Sequence, residues 1–180
     1  MAKSGSHRDQ VAPADEPSNA PALLKLEDFL PHRLNVLSSL VSQALTRVYS
    51  RYNIGIPEWR VLVTLGENEV MTGKAIGAHT HMHKTKVSRA VAHLAERKFV
   101  TRRPNRADMR ESFLTLTPTG RMVYEELAPS ALEFMQRLSE VVAAADRPAF
   151  DRAMRQLTQR STELVAEAER SAASDLETPP

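Results

Sequence analysis

Thr85, Lys86, Ser88 and Arg89 crowd into five positions of the chain. Each carries hydrogen-bonding groups that suit the edges of bases in a DNA major groove. An arginine fork such as that of Arg89 pairs with O6 and N7 of guanine, a contact worth about 1–3 kcal/mol of discrimination. His83, Lys84 and Thr85, at the start of the same run, suit phosphate oxygens. Arg103, Arg106 and Arg110 follow in a stretch with turn chemistry. Arg106 and Arg110 suit a minor groove or its phosphates. Asp108 between them has the wrong charge for DNA; it reads as an orienter for Arg110 or as an ordinary turn residue. Arg102 and Arg103 are neighbours on an extended segment and point to opposite faces, so one of them, taken as Arg103, reaches a duplex.

These residues lie in one charge block. From Lys74 to Arg110 there are ten Lys or Arg and two acids, a net charge of +8 in a chain whose total is +2. Such a block is the footprint of a surface that binds a polyanion, and it is also what a solvated basic face looks like. For Arg89 the competing reading is a salt bridge to its own scaffold.

The elements around the block decide how it is presented. Leu34, Leu37, Leu40, Val41, Ala44, Leu45 and Val48 keep helical spacing, with Pro31 in the first turn and Asn53-Ile54-Gly55 as the stop. Pro57 opens a second helix with a stripe of Trp59, Leu62, Val63 and Leu65. Thr72 suits the N-cap of a short helix to about His79. A fourth helix, from about His83 to Arg97, buries Val87, Ala90, Val91 and Leu94 and presents the cationic residues, with Ala92 and His93, on its other face. Two short helices joined by a tight turn make a helix-turn-helix pattern. Phe99–Arg103 and Ser112–Thr117 read as the strands of a hairpin with a basic tip. Thr117-Pro118 starts a helix that continues towards Ala144, with Pro129 expected to kink or break it. Asp146 caps a last helix carrying Phe150, Met154, Leu157, Leu164 and Val165. The fold class is mainly α with a small β wing.

Residues 1–22 read as a disordered arm and 171–180 as a frayed tail. Between them, 23–56 form an N-terminal helical segment, 57–118 the winged helix-turn-helix, and 119–170 the C-terminal helices. The chain has no Cys and no apolar run of membrane length, which points to a cytoplasmic protein without disulfides or membrane contact. G-x-S-x-G, H-E-x-x-H and a phosphate-cradling glycine loop are all missing, so an enzyme is not expected. No cofactor is expected either. His79, His81, His83 and His93 cluster, but they straddle a turn with few acids nearby, and no metal site is assigned.

The run T-G-K-A-I-G-A-H-T-H-M-H-K-T-K-V-S-R-A-V-A-H-L-A-E-R-K-F-V from Thr72 to Val100 resembles the helix-turn-helix of MarR-family regulators. The segment Arg102–Gly120, with Asp108-Met109-Arg110 and a closing L-x-L-T-x-x-G, resembles that family's wing. Lys98 departs from the pattern: the family commonly has Gly there, at the end of the recognition helix. The resemblance implies a homodimer joined by the N- and C-terminal helices, which binds a pseudo-palindromic double-stranded operator and usually represses. It also implies a small-molecule effector between the dimerisation helices and the DNA-binding lobe. Candidates for that cleft are His32, Arg33, Leu37 and Leu40, then Trp59, Arg60 and Val63, then His79 and Met82. For each of them ordinary packing or ion pairing competes with the ligand role. The stretch Arg51–Leu62 is similar to regulators of aromatic-acid catabolism, which implies an aromatic acid or its CoA thioester as effector. The alternatives are a zinc-responsive or other-ligand regulator of this type, or a basic interaction module without sequence preference.

Overall fold

Helical spacing from Leu34 onward becomes helix α1, Leu30–Tyr49, in a computed structural model that describes residues 23–106 and 111–177. The expected arm, the wing tip with Asp108 and Arg110, and the last three residues lie outside the described residues. The chain divides into two compact units, Met1–Leu40 and Val41–Pro180. In the first, a single 3-10 turn, Leu26–Asp28, leads into α1, whose Leu30, Leu34, Leu37 and Leu40 are exposed.

The second unit continues from α1 through α2 (Ile56–Asn68), β1 (Val70–Thr72), α3 (Gly73–Thr80) and α4 (Lys84–Glu96). It then runs through β2 (Val100–Pro104), β3 (Ser112–Leu116), α5 (Pro118–Ser139) and α6 (Arg147–Glu177). α2 is the hub, packed on α3, α4 and α5. Val61, Leu62 and Leu65 of α2 and Leu94 of α4 are fully buried, as the apolar stripes require. Every buried apolar side chain among the described residues falls between Tyr49 and Leu127.

Local chemistry sets the boundaries. Pro57 sits in the first turn of α2, and Glu58 Oε2 accepts the Gly55 N–H at 2.9 Å. Thr72 Oγ1 accepts the Ala75 N–H at 3.2 Å and caps α3. The end of α4 is a left-handed cap at Lys98, φ 59°. Phe99 N–H donates to Leu94 C=O at 2.9 Å and Lys98 N–H to Ala95 C=O at 3.0 Å, the paired bonds of a Schellman motif. A lysine thus holds a conformation that suits glycine. Lys98 is exposed and its side chain supports nothing buried, so Lys98→Gly is expected to stabilise the fold by about 1 kcal/mol, read as a higher urea midpoint at unchanged slope.

Three features differ from the sequence expectation. The hairpin is a three-stranded antiparallel sheet of order β1-β3-β2, with Val70 opposite Thr115 and Val100 opposite Leu116. β1 has only three residues, too few to show an alternating pattern. Pro129 does not break α5, which runs unbroken to Ser139 and stops short of Ala144. Pro129 is exposed, so water can serve the carbonyl its ring leaves unpaired. Finally α6 extends to Glu177, into the expected tail. Arg160 there bonds Glu163 at 3.1 Å, the kind of i, i+3 support that lengthens an exposed helix, and also Glu167, two turns on, at 3.0 Å.

Candidate nucleic-acid interface

The helix-turn-helix is built by burial on one side and exposure on the other. Ile76 of α3 and Val87, Ala90, Val91 and Leu94 of α4 are buried in the common core. The turn between the helices closes with His81 in the left-handed region, φ 53°, and Met82 N–H bonded to Gly77 C=O at 3.1 Å. Met82 is buried and pins that turn. With those positions occupied, Lys84, Thr85, Lys86, Ser88 and Arg89 are all exposed. Among the described residues the Arg89 side chain makes no hydrogen bond or ion pair, so no described scaffold residue ties its guanidinium.

His83 is the N-cap of α4: its Nδ1 accepts the Thr85 N–H at 3.3 Å. An accepting Nδ1 places the ring proton on Nε2, which is left as a donor. His93 departs from the face assigned to it. It is half-buried, with Nδ1 3.4 Å from Glu58 Oε1, so it ties α4 to α2. The histidines do not converge: His79 lies 3.9 Å from Glu67, and among the described residues no three metal-ligating side chains share a site.

On the wing, Arg103 stands opposite Phe113 and Arg102 opposite the buried Leu114. Period two therefore puts Arg102 on the side of the sheet that faces the core, where it borders a cavity of about 690 Å³ shared with Lys84 and Ser88 of α4 and Lys74 of α3. Arg103 and Arg106 are exposed. Lys74 and Glu111 at this cavity were not singled out from sequence; alternation told that Arg102 and Arg103 differ, and only the pairing tells which way.

The effector candidates divide between the two units. In the first unit His32 is half-buried and Arg33, Leu37 and Leu40 are exposed. In the second, Trp59 is sandwiched: its ring is stacked on Tyr49 at 5.7 Å and on Tyr124 at 6.3 Å, against the core. Burial raises the Tyr49 phenol above its ordinary value, opposed by a Thr46 hydrogen bond and the charge of Arg60. Val63 is half-buried and His79 exposed. Of these residues only Met82 lines the cavity beside α4.

Residues 52–111 match the model of the MarR family. No curated protein matches the chain. Among solved structures it is similar to the PcaV transcriptional regulator of Streptomyces coelicolor in complex with its natural ligand. That match has 19% identity and a TM-score of 0.67, over 78% of this chain and 99% of that one. It is similar to Bordetella bronchiseptica BpsR, described with a mechanism for regulation of DNA binding by 6-hydroxynicotinic acid. There the identity is 20% and the TM-score 0.69, over 76% of this chain and 97% of that one. A mutant MarR of E. coli complexed with operator DNA matches at 17% identity and a TM-score of 0.65, over 71% of this chain and 92% of that one. Likeness at these identities establishes a shared winged-helix fold, within which residues 52–111 match the MarR-family model.

Proposed function

We propose that this protein is a ligand-responsive transcriptional repressor, not an enzyme, that binds a pseudo-palindromic operator as a homodimer in the cytoplasm. The observation that carries the reading is the exposed polar face of α4, Thr85 to Arg89, whose side chains are unpaired among the described residues, set beside the wing within a segment of net charge +8. Phosphates meet His83, Lys84, Arg103, Arg106 and Arg110, with Asp108 as the orienter of Arg110; base edges meet Thr85, Lys86, Ser88 and Arg89. The operator complex of the E. coli relative supports it.

Exposed apolar surface supports the dimer. Leu34, Leu37 and Leu40 of α1, Leu132, Met135 and Leu138 of α5, and Phe150, Met154, Leu157 and Leu164 of α6 are all exposed. The α6 set keeps the spacing of a heptad seam, which suits a second helix. The ligands named for the PcaV and BpsR structures support a small-molecule effector; aromatic acids or their CoA thioesters are the class proposed here, with His32, Arg33, Leu37, Leu40, Trp59, Arg60, Val63, His79 and Met82 as candidate contacts.

A mobility shift on the DNA upstream of the protein's own gene, with and without aromatic acids and their CoA esters, tests the reading. A shift that scrambled DNA competes away equally well leaves only a basic interaction module; a shift abolished by chelators leaves a zinc-responsive regulator. Arg106→Ala is expected to weaken cognate and scrambled duplexes alike and to lower the slope of log affinity against log salt by about 1.

A further inference from the structure

Lys74 of α3, Lys84 of α4 and Arg102 of β2 meet at one cavity, brought there by three separate elements. Each element turns its apolar side inward: Val87, Val91 and Leu114 are buried beneath the cavity, and the three cations stay exposed around its mouth. Glu111, half-buried at the end of the hairpin, is the one acid among the described residues that lines it. Among the described residues none of these four is in an ion pair. Three like charges around one opening suit a polyanion. The position of the opening says which part of a duplex it would meet. A helix in the major groove and a hairpin at the next minor groove straddle the sugar-phosphate strand that divides the two grooves. The cavity lies between α4 and the wing, so that strand passes over it. Glu111 has the wrong charge for such a neighbour.

We propose that the mouth of this cavity seats the DNA strand between the grooves, gripped by Lys74 and Arg102 together with Lys84, and that Glu111 is a built-in brake on that grip. Both roles rest on the reading of α4 and the wing as the DNA face, to which they add two cations and an acid. Alternation separated Arg102 from Arg103, and the pairing with Leu114 turns Arg102 to the side of α4. The brake follows from like charge: a carboxylate facing phosphates weakens binding to every duplex, whatever its bases, and salt screens it. Loose binding along random DNA is thereby held down, while the base contacts of α4 still add at the operator.

The test uses the full chain and two labelled duplexes, one from upstream of the protein's own gene and one scrambled, followed by anisotropy over a range of salt. Lys74→Gln and Arg102→Gln are each expected to weaken both duplexes alike and to lower the slope of log affinity against log salt by about 1. Arg103→Gln makes the same charge change on the opposite face of the sheet and is expected to cost less than Arg102→Gln. Glu111→Gln is expected to tighten both duplexes about fivefold at low salt, a gain that fades as salt rises. The gain persists when Arg102→Gln is added, because the acid acts on the phosphates and not through the arginine. Glu125→Gln, exposed on α5 and outside the basic block, alters the net charge equally and is expected to change little. Thermal unfolding verifies that the variants are folded. Equal losses in Arg102→Gln and Arg103→Gln overturn the seat. Equal effects of Glu111→Gln and Glu125→Gln, or a gain that vanishes with Arg102→Gln, overturn the brake. A protein that binds duplex and is weakened by Arg106→Ala, yet is unmoved by Lys74→Gln and Arg102→Gln, overturns the seat and leaves the DNA reading standing. A wild type that ignores both duplexes overturns the DNA reading and the seat together.

Discussion

Gly120→Ala is expected to cost more than about 4 kcal/mol and to lower the thermal midpoint by roughly 10 °C or more. A Cβ at this position would stand 1.9 Å from Phe99 O and 2.7 Å from Phe99 C, well inside contact distance and against backbone. The backbone it meets cannot swing aside, because Phe99 lies in the Schellman turn and its carbonyl accepts the Thr117 N–H at 3.0 Å. Thr117 Oγ1 donates to Lys98 C=O at 2.6 Å while it accepts the Gly120 N–H at 3.0 Å. Gly120 is thus the point where the start of α5 presses on the turn between α4 and β2. Gly66→Ala is the control: its Cβ meets the Tyr124 ring at 2.8 Å, a side chain rather than backbone, and a smaller loss is expected. Equal midpoints for Gly120→Ala and wild type in differential scanning calorimetry would show that α5 does not seat on Phe99 as described.

Arg89→Ala is expected to remove about 1–3 kcal/mol of discrimination at each half-site, and so up to about 6 kcal/mol across a two-fold operator. Arg89 is exposed and unpaired among the described residues, so its truncation leaves no buried partner behind and stability should hold. Affinity for a scrambled duplex should fall far less, because phosphate neutralisation is shared among many cations of the block. Titrations of cognate and scrambled duplexes at several salt concentrations separate the two effects. A parallel fall on both duplexes would reassign Arg89 to the phosphate backbone. Arg106→Ala provides the opposite pattern, a uniform loss with a flatter salt slope, so the pair of variants divides base reading from charge.

Short-range rules made much of this protein legible before any coordinates. Thr72 and Thr117 cap helices because a hydroxyl one residue ahead of a helix meets its free N–H groups, and Pro57 stands where a missing N–H costs nothing. The 3.6-residue repeat separated Val87, Ala90, Val91 and Leu94 from the exposed positions of α4, since burial on a helix follows its own turn. Lys98 was the residue out of pattern, and the structure keeps the left-handed cap there and bears its cost. What required the assembled fold were relations between distant segments. β1 exists because β3 offers it an edge, not because three residues prefer to be extended. Alternation separated Arg102 from Arg103, but their sides were decided by pairing with Leu114 and Phe113. His93 turned from the polar face of α4 to Glu58, and Trp59 was enclosed by Tyr49 and Tyr124, through contacts across as many as 65 residues of chain. A sequence records the preferences of neighbours along the chain; which remote groups meet is set by how the helices and strands pack, and that is where the cavity beside α4 arose.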